Sequence, residues 1–465
     1  MYSHIQLTSQ AEYQEAINTA EVLLLGQSNI DLGLNFDPWT LTTGQLCGVV
    51  LSLFKKLDLV DFMNITDMDL LHFIIDVERG YFANPYHSFH HAVDVSVMVY
   101  HFLANCSASA YLEQDDILAL LIASLCHDVG HPGTNNVYQI NAKTPLAQKY
   151  DENSILETHS CHLTLQLIHK HQLLEKTTIK DFIEQRVEEL ILYTDMKFHF
   201  QLLEDMKRII HDSQPVISSE SSPSPPLDPS QGLVEEPQPL FSNLMDTAEF
   251  RLKVSNAIIH AADISNPARP WELCKTWSDL VVQEFYHQGD LEKQAHLPIS
   301  LNMDRECSAQ HQIALDFDEY LVQPFFFALS QILPKCYELV VNLQSNRMSW
   351  IQIKTSTYSA DSSSPHTRHS VDPQFARRVS FSPGTVDIPL SFNDDVRRHS
   401  SDGSRFAYRH TRKTRTWARQ NSGRKRDNCS PERMNVFNSL LKHTLTKVSS
   451  TESLSSQYEH STPVS

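Results

Sequence analysis

Apolar side chains recur every three to four residues over most of the first 350 positions. That spacing places them on one face of an α-helix. It predicts helices over Leu41–Leu57, Asp67–Glu78, Ala92–Ala104, Asp116–Cys126 and Ser154–His171. Further helices follow over Ile179–Tyr193, Phe198–His211, Ala248–Ala262, Pro270–His287 and Ser308–Leu333. Good strand alternation is missing, so the expected fold class is all-α. An assembly of this size is large for one core, and packed subdomains are expected. The longest apolar run, Ile117–Cys126, still contains Ser124 and falls far short of the roughly 20 residues that cross a bilayer. Met1–Ile5 shows no basic stretch leading into an apolar one, so no signal peptide is expected.

Past residue 350 the helical pattern fades into Ser, Thr and Arg, apart from a short helical period over Met434–Val448. A segment so poor in large aliphatic residues cannot bury enough apolar area to offset chain entropy, so residues 351–465 read as a disordered tail. Residues 213–246, with the run Ser-Pro-Ser-Pro-Pro, read as a disordered Ser/Pro-rich insertion. Residues 1–35 are an N-terminal extension, and 36–350 form the main domain.

Charge follows the same division. The chain carries 38 Lys+Arg and 56 Asp+Glu, a net charge of -18. The tail holds 18 basic and 10 acidic residues, net +8, which leaves 20 and 46 in residues 1–350, net -26. The acidic part also contains 18 of the 24 His. Such acidity excludes a generic nucleic-acid binder and leaves no specific nucleic-acid partner expected. Eight scattered Cys with no Cys-x-x-Cys pair fit reduced thiols and a cytoplasmic location. Arg412–Arg426 keeps nuclear or membrane-surface association open.

Three clusters carry the candidate chemistry. In the first, Asn84 suits a helix cap and Pro85 its first turn. His87, His91 and Asp94 then fall at i, i+4 and i+7 on one face. Alone, such a face is as a rule merely solvated. In the second, His127-Asp128 ends the apolar run, where Gly130 and Pro132 stop a helix. An unpaired carboxylate at a buried helix end is costly, and a metal ion removes that cost. The His127-x-x-x-His131 spacing is not a zinc-protease motif, because Gly and Pro break the helix and Asp stands in place of Glu. In the third, an apolar helix ends in Asp263 before Ser265-Asn266-Pro267. Together they offer His91, His127, Asp128 and Asp263, two imidazoles and two carboxylates, a donor set suited to Zn²⁺ with an open position. The second oxygen of Asp128 suits bridging to Mg²⁺ or Mn²⁺.

These clusters, in this order, resemble the class I 3′,5′-cyclic nucleotide phosphodiesterases. The likeness runs through Tyr86-His87, His91-Ala92 with Asp94, His127-Asp128 and His131-Pro132-Gly133. It continues through Ser154-Ile155-Leu156-Glu157, Thr194-Asp195-Met196, Asp263 to Pro267, Glu284-Phe285, Gln288-Gly289-Asp290 and Met303-Asp304-Arg305. It implies a compact all-helical catalytic domain of three packed subdomains, holding zinc and a second divalent ion. His91, His127, Asp128 and Asp263 match the zinc ligands, and Asp128 the bridging carboxylate. His87 matches the general acid. His131, Glu157 and Thr194 match residues that hold waters of the second metal, and Asp195 supports them. Tyr86 and Asn266 match the nucleotide side of the pocket. The implied reaction is attack of a metal-bridging hydroxide on a cyclic nucleotide, cyclic AMP or also cyclic GMP, to give the 5′-monophosphate.

The likeness departs at the purine. The family carries a Gln that bonds the base and, three residues on, a Phe that stacks on it. Gapless counting back from Pro324 puts Phe317 at the stacking position but Ala314 where the Gln belongs. Gln312 fits only with a local helix irregularity. Two rivals follow: an HD-type metal phosphohydrolase acting on another nucleotide, and a regulatory cyclic nucleotide binder with a weakened site.

In the tail, Arg377-Arg378-Val379-Ser380 and Arg397-Arg398-His399-Ser400 resemble substrates of the cyclic-AMP-dependent kinase. Phosphate adds about -1.5 to -2 charge at each serine. The expectation is feedback control of cyclic AMP removal. Kinase-treated wild-type protein should take up phosphate and change its turnover, and the Ser380→Ala/Ser400→Ala protein should do neither. Identical uptake and turnover in both would contradict this.

Overall fold

The computed structural model describes residues 10–150, 153–212 and 247–362, and among these no strand occurs. The chain opens with α1 (Gln10–Leu24), α2 (Thr43–Lys56), α3 (Leu59–Met63), α4 (Asp67–Gly80) and α5 (Phe89–Tyr100). It continues with α6 (Gln114–Cys126), α7 (Asn136–Asn141), α8 (Pro145–Lys149), α9 (Ile155–Lys170), α10 (Lys180–Leu192) and α11 (His199–Asp212). The last helices among the described residues are α12 (Ala248–Asp263), α13 (Trp271–Gln294), α14 (Gln310–Phe317), α15 (Gln323–Ile332) and α16 (Tyr337–Ser362). The insertion at 213–246 lies outside the described residues, as do 363–465 with Ser380, Ser400 and Met434–Val448. No helix among the described residues is long and apolar enough to cross a membrane.

Local chemistry sets many helix ends. Thr42 and Thr66 form capping boxes with Gln45 and Asp69, each pair satisfying two otherwise orphaned amides. Thr247 caps α12 by accepting the Phe250 amide at 3.2 Å. The end of α6 is held by Tyr81, which donates to the Leu125 carbonyl at 2.8 Å and accepts the Asp128 amide at 3.3 Å. Gly130 then takes φ +81°, a conformation L side chains rarely adopt, and turns the chain away.

Two expectations change. Helix α5 begins at Phe89, with Ser88 as its flanking residue, so Asn84 is not its cap and His87 lies outside the helix. Asn84 instead donates to the His87 carbonyl at 2.9 Å and the His131 carbonyl at 2.8 Å, bridging two loops. The single helix expected over Ser308–Leu333 is split by a wider π turn, Asp318–Val322. Pro324 explains the break, because it lacks an amide hydrogen and its ring crowds the carbonyl four residues back.

The site is carried by α5, α6 and α12, which pack against one another. Every residue of α6 from Asp116 to Cys126 is buried, so the apolar run reflects a helix covered on all sides. Each fully buried Leu or Ile there contributes about 1.5–3 kcal/mol relative to exposure. The buried Asp116 carboxylate is compensated by Arg251 Nε at 2.8 Å and Arg186 at 3.4 Å, tying α6 to α12 and α10. A second group of buried side chains, including Leu273, Trp277, Ile313 and Trp350, lies outside this main cluster and joins α13, α14 and α16. Helix α1 falls within the stretch expected as an extension, and it packs on α2 through Ala16 and Ala20. Helix α16 runs to Ser362, so residues 351–362, expected within the disordered tail, are helical.

Candidate active site

Three helices bring four donors together. His91 lies in the first turn of α5, His127 and Asp128 follow the end of α6, and Asp263 ends α12. Nε2 of His91 is 3.0 Å from Asp263 Oδ1 and 3.8 Å from Asp128 Oδ2. Nε2 of His127 is 3.1 Å from Asp128 Oδ2 and 3.4 Å from Asp263 Oδ1. The two imidazoles are buried, at 0% and 1% exposure.

The tautomer of His127 decides what this geometry wants. Its Nδ1 lies 2.9 Å from the Ser124 carbonyl and donates to it. In the neutral ring the lone pair on Nε2 therefore points at two carboxylates, and Nε2 makes no hydrogen bond. Acceptors facing acceptors repel. Burial disfavours a cationic ring, yet Asp128 and Asp263 outweigh it and hold His127 well above its ordinary pKa. Burial likewise works to raise Asp128 and Asp263, and His127 overcomes it and keeps both below the carboxylate range. A divalent cation answers the same demand. The donor atoms of His91, His127 and Asp128 lie within 4.8 Å of one another, and two imidazoles with two carboxylates suit zinc.

Beside this cluster stands a second one, already paired. Nδ1–H of His87 donates to Glu284 on α13. The other Glu284 oxygen accepts the Tyr86 amide at 3.0 Å and the His87 amide at 3.2 Å. That grip holds His87 off the helix. Partial burial penalises its imidazolium, but Glu284 and Asp128 outweigh this and raise its pKa to about 9. Burial opposes ionisation of Glu284, and the His87 charge lowers its pKa to about 2 in spite of it. The His131 ring stacks on His87 at 3.9 Å, and its Nδ1 accepts the Gly133 amide at 3.1 Å. Burial and the His87 charge lower its pKa to about 4, so it is neutral near pH 7. These three donors are close enough for a metal, but their charges are already matched.

Glu157, in the first turn of α9, accepts from Asn136 Nδ2 at 3.0 Å. Burial and the nearby Asp195 raise its pKa to about 8. Asp195 accepts from Ser154 Oγ at 2.8 Å and from the Lys197 amide at 2.9 Å, fixing the turn that carries Thr194. The Thr194 hydroxyl donates to the Ile191 carbonyl at 2.7 Å.

Tyr86 lies against His91, with ring centroids 4.6 Å apart, and its hydroxyl donates to Asn266 Oδ1 at 2.5 Å. Gln312 is placed otherwise: it donates to Asp316 Oδ1 at 2.8 Å and accepts from Lys354 Nζ at 2.7 Å, within α14 and across to α16. Phe317 is partly buried and packs against the main core. The sequence pointed to no role for Glu284 or Arg269, and to Asn84 only as a helix cap. Glu284 stood in a quoted motif, but a lone carboxylate in a polar helix carries no local signal of its partner.

A sequence model of the 3′,5′-cyclic nucleotide phosphodiesterase family matches residues 86–343. A 3′,5′-cyclic-nucleotide phosphodiesterase, regA, of Dictyostelium discoideum is 32% identical over 323 residues, which is 68% of this chain and 37% of that protein. The high affinity cGMP-specific 3′,5′-cyclic phosphodiesterase 9A of Homo sapiens is 28% identical over 66% of this chain and 47% of its own length. The chain thus spans less than half of either relative. The crystal structure of the phosphodiesterase domain of the RhoPDE fusion protein from the choanoflagellate Salpingoeca rosetta superposes with a TM-score of 0.62 at 26% identity, covering 73% of this chain and 99% of that one. The matched span begins at Tyr86, takes in all three His/Asp clusters and ends within α16, so the chain belongs to the 3′,5′-cyclic nucleotide phosphodiesterase family.

Proposed function

We propose that this chain hydrolyses a 3′,5′-cyclic nucleotide, with cyclic AMP the first candidate and cyclic GMP the second, to the nucleoside 5′-monophosphate. The observation that carries the reading is the buried His127 Nε2, 3.1 Å from Asp128 and 3.4 Å from Asp263, which calls for a cation, beside a cationic His87. His91, His127, Asp128 and Asp263 would hold a zinc ion. A second divalent ion, Mg²⁺ or Mn²⁺, would share Asp128 and sit among waters held by neutral His131, Glu157 and Thr194, with Asp195 bracing that turn. Bound there, the ions supply an activated water and counter-charge for the phosphoryl oxygens.

The remaining work falls to the chain itself. Breaking the P–O3′ bond leaves negative charge on the ribose oxygen, and a proton delivered there lowers the barrier. His87 is the donor suited to it, because Glu284 binds Nδ1 and leaves Nε2 to give up the proton. His131, kept neutral, does not compete for that role. Tyr86 and Asn266 orient the nucleotide. For the purine, Phe317 is the proposed stacking residue. Gln312 reads the base only if it releases Asp316 and Lys354.

Purified full-length protein with Zn²⁺ and Mg²⁺ should hydrolyse cyclic AMP, cyclic GMP or both, and a chelator should abolish this. His87→Ala should lower kcat by about 10²–10⁴-fold. Turnover of neither nucleotide would contradict the reading. Binding without turnover would favour the regulatory rival, and hydrolysis of other nucleotides alone the general phosphohydrolase.

A pH profile tests the acid. His87 acts when protonated, so activity should fall as pH rises, along a limb no higher than about 9. Glu284→Gln removes the charge that favours the imidazolium and should move this limb to lower pH by about one unit or more. An unmoved limb would contradict the assignment of His87.

A further inference from the structure

In the sequence Asp94 is the third polar residue on one face and part of a family motif with no assigned role, and Arg269 has no place. In the structure they form a fully buried ion pair, both at 0% exposure, with Arg269 NH1 2.6 Å from Asp94 Oδ1. Such pairs are costly to desolvate and weak evidence for stability by themselves. What distinguishes this one is how its remaining atoms are used. The Arg269 fork does not close on Asp94 in the usual two-bond fashion. Its Nε donates to the Leu34 carbonyl at 2.9 Å and its NH2 to the Phe36 carbonyl at 2.7 Å. The second oxygen of Asp94 is left for Asn266 Nδ2, at 3.2 Å.

The consequence is felt at Asn266. Its amide has a carboxylate acceptor on one side and the Tyr86 hydroxyl donor on the other, with Oδ1 2.5 Å from that hydroxyl. Turning the amide over would set its oxygen against the Asp94 carboxylate, so only one orientation is compatible with both neighbours. Asn266 and Arg269 also sit on one short turn, closed by the Arg269 amide on the Asn266 carbonyl at 3.3 Å. Asn346 of α16 clamps that turn through the Pro267 and Arg269 carbonyls at 2.8 and 2.7 Å. The backbone of residues 34–36 is therefore connected, through Arg269 and Asp94, to two side chains proposed to face the nucleotide.

We infer that Asp94 and Arg269 are positioning residues that fix the amide of Asn266 and the hydroxyl of Tyr86 for nucleotide binding, and that the segment at 34–36 is a structural support of the active site. This rests on the proposed hydrolysis of a cyclic nucleotide. The geometry assigns them an effect on how well substrate is held. A pair that served stability alone would change the amount of folded enzyme and leave the KM of what remains untouched.

The test uses the full chain loaded with metal, with cyclic AMP and cyclic GMP as substrates and the folded fraction measured by circular dichroism. Arg269→Lys keeps the charge but loses the fork. Asp94→Asn keeps the shape but puts an amide donor in competition with Asn266. Each should raise KM about tenfold while kcat per folded molecule changes less than about threefold. Tyr86→Phe should also raise KM, and a double variant should be no worse than about the larger single effect, because all act through one amide. If Asp94→Asn does not fold, Arg269→Lys and Tyr86→Phe complete the cycle. An unchanged KM with a reduced folded fraction would overturn the inference, as would multiplicative effects in the double variant. Wild-type protein inactive on both nucleotides would instead remove the functional reading beneath it.

Discussion

The structure is organised around an electrostatic demand that the protein's own uncharged groups do not meet. His127 donates Nδ1–H to the Ser124 carbonyl and turns Nε2 toward Asp128 and Asp263, where a proton or a metal cation must balance the two carboxylates. Burying these groups without a cation between them would cost several kcal/mol. The surrounding fold holds the arrangement in place. Helices α5, α6 and α12 pack tightly, so their ends, and the donors on them, have little freedom to move apart. The fully buried character of α6 anchors one half of the cluster, and Tyr81 and Gly130 stop that helix where His127 and Asp128 must emerge.

Around that centre the titratable groups are held in different states by their neighbours. His87 is kept cationic by Glu284, while His131, stacked on it, is kept neutral by burial and by that same positive charge. Glu157 holds its proton to about pH 8 because burial, and then the nearby Asp195, disfavour its carboxylate. One imidazole is thus prepared to give a proton, while its stacked neighbour accepts the Gly133 amide at Nδ1 and keeps Nε2–H as a donor.

The gathering of His91, His127, Asp128 and Asp263 was legible in the sequence because its signals are local. A His-Asp pair ending an apolar run, a Gly and a Pro after it, and an Asp closing another apolar helix all sit within a few residues. The position of His87 was not legible. Helical spacing set it on a face with His91, but Glu284, far along the chain, draws its backbone out of the helix. The base-reading residue stayed open for another reason: the gapless count puts Ala314 where a Gln belongs, and the nearest candidate, Gln312, is engaged by Asp316 and Lys354. Helix α1 left little trace because it packs through Ala16 and Ala20, whose small side chains barely register as an apolar stripe.

The central claim is that the His91, His127, Asp128 and Asp263 cluster is built for a divalent cation. Thermal unfolding of the metal-stripped full chain, with and without added Zn²⁺, tests it most directly, because a ligand that binds only the folded state raises Tm by mass action. The account predicts a rise of several degrees for wild-type protein and little or none for Asp263→Ala. A wild-type Tm indifferent to Zn²⁺, or an equal rise in both proteins, would contradict it.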